Sequence, residues 1–384
     1  MKVNKKIKKI GISLAIVLSI ITPNYVFANN DKIETSENLE FLSYEKAIKL
    51  AIDESNEIKN LKLEKDSNTI KIDDALDNFG YNLYDPQVLA LMKLQKNDNL
   101  NSEKTERTEK YITEALSFKV KSIFTNINLM ENDIELKKLQ LDNSIKKRNI
   151  ISLKLEYGME SQTNLTAKDI EIKQARKDLE ALEKELEEQY IELNKLLGFD
   201  SFARYDIEKL NFNYSPINDT QEDIDFKVTR AISSDINIWG KEQQLDIQRI
   251  DVDFYALNYI SGAPSNQQSS PAPYESLELD AKISSNDLEQ AKKDLKNSVI
   301  QKYNSIKKLE NTYDNTVLKL KDLEEKKRVL EVAIKTGTAI EQDYNDLLLG
   351  INEVNNGIDK IESQHALLVE MYNNPLLAGG SINW

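Results

Sequence analysis

The stretch Tyr344–Tyr372, YNDLLLGINEVNNGIDKIESQHALLVEMY, sets Tyr344, Leu347, Ile351, Val354, Ile358, Ile361, His365, Leu368 and Tyr372 at alternating spacings of three and four residues. An apolar stripe with a 3.5-residue period is the seam of a left-handed coiled coil. Upstream, Leu165, Ile172, Leu179, Leu186 and Leu193 recur every seven residues, with Ala175, Leu182 and Leu196 on a second seam. A third run passes through Leu295, Val299, Ile306, Leu309, Tyr313, Leu320, Leu323, Leu330 and Ile334. A helix carrying such a run reaches ~80–90 Å at 1.5 Å per residue and cannot bury its stripe inside a compact domain. It must lie against other long helices.

Composition agrees. The 384 residues hold only 11 Gly and 7 Pro, too few for the many turns of a sandwich, a barrel or a doubly wound sheet. With no Cys and one His, the sequence excludes disulfides, thiolate chemistry and Cys- or His-based metal sites, and it points to no cofactor. Setting aside the five lysines of residues 1–28, 46 basic residues face 65 acidic ones. Such a surface repels the phosphate backbone, so no nucleic-acid partner is expected. Carboxylate pairs are plentiful, as in any acidic helical chain, but Walker, GxGxxG and GxSxG patterns are absent, so the chain reads as a non-enzyme.

Residues 1–28 read as a secretory signal peptide. Lys2, Lys5, Lys6, Lys8 and Lys9 form the basic region, Ile10–Ile21 the apolar region, and Val26-Phe27-Ala28 the cleavage pattern. The apolar run is shorter than the ~20 residues of a spanning helix, which argues against a retained anchor. No later stretch could cross a bilayer as a helix, so an exported envelope protein is expected.

Two landmarks repeat at nearly one offset. Ala47–Ile58 resembles Lys227–Ile238 at an offset of 180, and Tyr157–Leu165 matches Thr336–Tyr344 at 179. A tandem duplication follows. After a leader at 29–40, repeat 1 occupies 41–200, with helices at 43–79, 103–156 and 162–197 and an insert at 80–102. A linker at 201–222 leads to repeat 2 at 223–373, with helices at 223–260, 275–335 and 341–372 and an insert at 261–274; residues 374–384 form a flexible tail ending in Trp384. Gly158 and Gly337 end the longest helices as C-cap glycines do.

This order, and the motifs Leu42-Ser43-Tyr44-Glu45-Lys46-Ala47-Ile48-Lys49-Leu50-Ala51, Leu155–Leu165 and Leu193-Asn194-Lys195-Leu196-Leu197-Gly198, resemble the outer-membrane efflux (TolC-like) family over about residues 40–375. The resemblance implies an all-α, elongated antiparallel bundle of two three-helix repeats, one protomer of a homotrimeric α-barrel. It also implies an adaptor (membrane-fusion) protein and an ATP-driven or other exporter as partners. The docking tips would be the Gly turns: Tyr157, Gly158, Met159, Ser161 and Asn164 in the first, Thr336, Gly337, Thr338 and Asp343 in the second.

The inserts depart from that family, whose members place membrane strands there. A membrane strand needs ~9–11 alternating residues and a hairpin needs two. Segment 261–274 has 14 residues with three prolines, and 80–102 lacks the alternation, so the β-barrel is expected to be missing. The Lys/Asn/Ile-rich composition suggests a Gram-positive host without an outer membrane.

His365 falls on a heptad core position and reads as a core histidine bonded to a neighbour; the alternative is a pH-sensitive packing position, because burial disfavours its charged form. Glu156, Glu160, Glu341 and Asp343 read as solvated helix-end charges, with an acidic ring at a trimer tip as the alternative. For the whole chain, the competing readings are a structural coiled-coil envelope protein with no transport role and an accessory platform.

Overall fold

The computed structural model describes residues 41–77, 86–260 and 271–379. The segments expected to be a signal peptide and a leader, and Trp384, lie outside them. Among the described residues eight helices follow in order: α1 Tyr44–Glu54, α2 Asn56–Asp77, α3 Pro86–Glu156, α4 Gln162–Leu197, α5 Gln221–Ser234, α6 Ile236–Ile260, α7 Pro271–Lys335 and α8 Glu341–Asn373. Among the described residues the strands are β1 Phe41–Leu42 and β2 Asp206–Ile207, which pair in parallel. α3 has 71 residues and α7 has 65, so they are rods of ~107 and ~98 Å.

The first helix of each repeat is not continuous. The expected 43–79 is α1 plus α2, broken at Ser55, and the expected 223–260 is α5 plus α6, broken at Asp235. The breaks sit 180 residues apart, in step with the repeat. Each has a capping side chain: Ser55 Oγ accepts from the Ile58 amide at 3.4 Å, and Asp235 Oδ1 accepts from Asn237 and Ile238 at 2.9 and 2.8 Å. Such residues compete with the helix for backbone donors and restart it.

The long helices also start earlier than the sequence suggested. α3 begins at Pro86 rather than 103, and α7 at Pro271 rather than 275. Proline lacks only a donor that a first turn leaves unpaired. Most of the first insert is therefore helix. What remains, 78–85 and 261–270, lies outside the described residues; at eight and ten residues neither has the length for a membrane hairpin.

The rods form a single layer. Lys121–Glu370, Asp133–Lys360, Gln140–Glu353 and Asn143–Asp346 run in opposite numerical order, so α3 and α8 are antiparallel. α4 packs on the outer side of α3, and α7 on the outer side of α8, giving the lateral order α4–α3–α8–α7. Beyond it the order is α2–α3–α6–α7. The edge helices α4 and α7 form no packed seam with each other.

Where the halves meet, two cores thicken the layer. The first gathers Leu42, Ala47, Ala51, Val120, Phe124, Ile127, Leu193, Tyr205 and Ile207; the second gathers Ile224, Val228, Ala231, Leu295, Val299, Ile306 and Tyr372. The linker 201–222 is a packed strap. The Glu208 carboxylate accepts from the Tyr44 amide at 2.9 Å, and buried Asn194 donates to the Ser201 and Ala203 carbonyls while accepting from the Tyr205 hydroxyl at 2.8 Å. The expected flexible tail is likewise packed as far as it is described: Leu377 and Ala378 are buried, and Lys302 Nζ donates to the Ala378 carbonyl at 2.9 Å.

Phe124 is fully buried where α1, α3 and α4 converge. Phe124→Ala is expected to cost about 3–5 kcal/mol in urea unfolding. Truncating exposed Phe202 in the linker should change it by less than about 0.5 kcal/mol.

Candidate functional site

Both Gly turns lie at one end of the layer. Near that end Tyr344 of α8 bonds Glu331 of α7 at 2.9 Å, Asp346 accepts from Asn143 of α3 at 2.7 Å, and Arg148 of α3 pairs with Asp169 of α4 at 2.9 Å. Antiparallel packing thus brings Tyr157–Asn164 and Lys335–Asp343 to the same tip.

The backbones of the turns are alike. Gly158 has φ 70° and Gly337 φ 72°, a region open to glycine at little cost. Gly158 N donates to Leu155 O at 2.9 Å and Met159 N to Lys154 O at 2.8 Å; Gly337 N to Ile334 O and Thr338 N to Ala333 O repeat this at 2.9 Å each. These are Schellman closures, which satisfy the last helical carbonyls.

Their side chains differ. Ser161 Oγ caps α4 by accepting from the Asn164 amide at 3.2 Å, while Glu160 accepts from Ser161 N at 3.1 Å and Asn164 Nδ2 at 2.5 Å. Those bonds hold the Glu160 carboxyl below the usual carboxylate range, so it serves as a local brace. α8 starts at Glu341 behind the N-cap residue Ile340, which gives it no side-chain cap, and the Thr336 and Thr338 hydroxyls donate to the Ala333 carbonyl. The tip leaves Tyr157, Met159 and Ile340 at 76 %, 69 % and 64 % exposure. Glu156, Glu341 and Asp343 are exposed there as well. Among the described residues no group of three His, Asp or Glu could hold a metal ion, and no helix is long and apolar enough to cross a membrane.

His365 lies far from the tip. It is 3 % exposed, with Nε2 3.4 Å from Glu310 Oε1 and the Tyr214 ring tilted above it at 5.0 Å. Tyr214 stacks on Tyr313 at 3.7 Å. Buried Glu310 also accepts from the Ile217 amide at 2.7 Å and from Lys307 Nζ at 2.5 Å, and Lys307 donates to the Ile217 carbonyl at 2.6 Å. His365 and Glu310 together therefore clamp the linker onto α7 and α8. The heptad pattern placed His365 but gave no sign of buried Glu310 or of the linker residues above it. Beside α4, an open recess lined by Glu183, Leu186, Glu187, Tyr190, Arg204, Tyr205 and Asp206 offers no free anion site, because Arg204 pairs with Glu187 at 3.2 Å and lies over the Tyr190 ring.

Two outcomes follow. Ser161→Ala should lose about 1 kcal/mol locally, read as faster hydrogen exchange at the first amides of α4 with the far end unchanged. For Glu310, burial pushes the carboxyl up, but the bonds from Lys307, Ile217 and His365 outweigh it and hold the group below the usual range. With the folded value depressed, its stabilisation is present at neutral pH and fades as pH falls below about 4. Thermal melts between pH 7 and 3 should show a shallower acid loss for Glu310→Gln than for the natural chain.

No protein-family model matches the sequence, and no curated protein matches it. Solved structures do. The outer-membrane channel OprN aligns with TM-score 0.64 at 12 % identity, covering 94 % of this chain and 99 % of that one. CusC, solved in a study of folding and transmembrane channel formation, aligns with TM-score 0.63 at 11 % identity over 91 % and 98 %. The Campylobacter jejuni CmeC outer membrane channel gives 0.60 at 11 % identity over 94 % of each chain. The protein has the fold of these outer-membrane channels, TolC-like in its doubled helical layer, with helix over most of the first insert.

Proposed function

We propose that three copies close into a hollow helical conduit in the cell envelope, an efflux component whose Gly-turn tip docks on a membrane-fusion adaptor coupled to an exporter. The observation that carries this reading is the open layer. Among the described residues each cross-section supplies four helices whose outermost members pack on one side only, and three such layers give a ring of twelve. Exposed Leu63 and Ile70 on α2, Ile170 on α4 and Leu318 on α7 are the apolar positions such closure buries. At the tip, Tyr157, Gly158, Met159, Ser161 and Asn164 with Thr336, Gly337, Thr338 and Asp343 form the docking surface, and the exposed aromatic and Met side chains are its anchors. With segments too short for membrane hairpins, the conduit is held in the envelope by its partners.

Mass photometry of the purified exported chain should report three times the protomer mass, and a persistent monomer would contradict the reading. A pull-down from envelope extracts should recover an adaptor. The double variant Tyr157→Ala/Met159→Ala should reduce that recovery about tenfold, with the oligomer mass unchanged. A structural role without transport predicts oligomers that capture no adaptor.

A further inference from the structure

The two edge helices each carry a second seam that the chain leaves uncovered. On α7 the inward positions Leu320, Leu323, Leu330 and Ile334 are half-buried, whereas Leu318, Asp322, Glu325, Val329 and Val332, spaced four, three, four and three, are all exposed. On α4 the inward Leu165 and Ile172 are buried, whereas Ala167, Ile170, Gln174, Lys177 and Ala181, spaced three, four, three and four, are exposed. Leu318, Val329, Val332 and Ile170 are 59–63 % exposed, a large apolar cost for positions in coiled-coil rhythm.

The heights of these stripes follow from contacts across the layer. Glu331 of α7 meets Tyr344 of α8; two residues on, Asp346 meets Asn143 and Lys147 of α3; and Ser144 and Arg148 meet Glu171 and Asp169 of α4. Further from the tip, Tyr313 meets Glu362, Gln140 meets Glu353, and Lys138 pairs with Glu183. Interpolating these pairs puts Asp322 level with residues 177–181 of α4, to within about one helical turn. Rotation about an axis parallel to the rods leaves height unchanged, so a neighbouring copy presents its α4 stripe to this α7 stripe at the same level.

We infer that α7 of one copy packs antiparallel on α4 of the next, setting Leu318 on Ala181, Asp322 on Lys177, Glu325 on Gln174, Val329 on Ile170 and Val332 on Ala167. The inference rests on the ring reading above and specifies its seam. In this register large apolar residues meet small or apolar ones, and opposite charges meet at Asp322 and Lys177. A slip of one turn sets Leu318 against Lys184 and Val329 against Gln174, stranding two apolar side chains on polar ones.

The chain has no cysteine, so introduced thiols are the only ones present. In one chain, positions 318 and 181 lie on opposite edges of the layer, and a disulfide needs Cα atoms within about 7 Å, so any bridge between them joins two copies. Leu318→Cys/Ala181→Cys, oxidised in the purified exported oligomer, should give a ladder of covalent oligomers on a non-reducing gel. The slipped pair Leu318→Cys/Lys184→Cys should give at least about fivefold less. Equal yields from the two pairs, or no bridge in an oligomer of the expected mass, would overturn the seam while leaving the conduit standing; a monomeric mass would overturn the conduit and the seam with it. As a second arm, Asp322→Lys and Lys177→Asp should each reduce the oligomer fraction, and the double swap should restore it. Failure of restoration, with helical circular dichroism unchanged, contradicts the pairing.

Discussion

A helix of 71 residues can hide a narrow apolar stripe only by lying along other helices of comparable length. That constraint organises the molecule. It forces α3 and α7 to run the length of the layer, makes the shorter helices pack end to end along them, and leaves a sheet of rods in place of a globule. Helices inside such a sheet, like α8, are covered on two sides. Helices at its margins are covered on one, and on the other α7 leaves Leu318, Val329 and Val332 exposed and α4 leaves Ile170 exposed.

A layer one helix thick has little core to resist shear, and the protein concentrates its tertiary stability where the stacked helices abut. There the linker passes from one repeat to the next. Its first part joins β1, caps α1 through Glu208 and anchors on Asn194; its second part lies against Glu310, His365 and Tyr313, and Asp219 accepts from the Tyr372 hydroxyl at 2.7 Å. These contacts are polar, specific and largely buried, so they set the register of the two repeats as well as adding to stability. The tip has the opposite character: backbone closures and one capped helix, with apolar side chains presented outward.

Much of the architecture was legible in the sequence. The seams of α4, α7 and α8 fall on the packed faces, and Gly158 and Gly337 close the turns. What escaped has physical reasons. Ser55 and Asp235 interrupt helices without disturbing the apolar period, so periodicity alone reads through them; their shared place in the repeat was the available signal. The polar run before Glu103 carries no seam, but it contains no breaker either, and α3 simply continues through it. Tyr205 and Ile207 alternate as strand residues do, yet in two positions such a signal is faint. At the candidate site, the turns could be located from glycine spacing, whereas the brace by Glu160 and the clamp by Glu310 depend on contacts that no local pattern encodes.

Electron micrographs of the purified chain test the central claim most directly. The account predicts tubes roughly 100 Å or more in length that show, in projection down the axis, a ring of helices around an open centre. Particles the width of one helical layer, or short compact globules without a central hole, would contradict it.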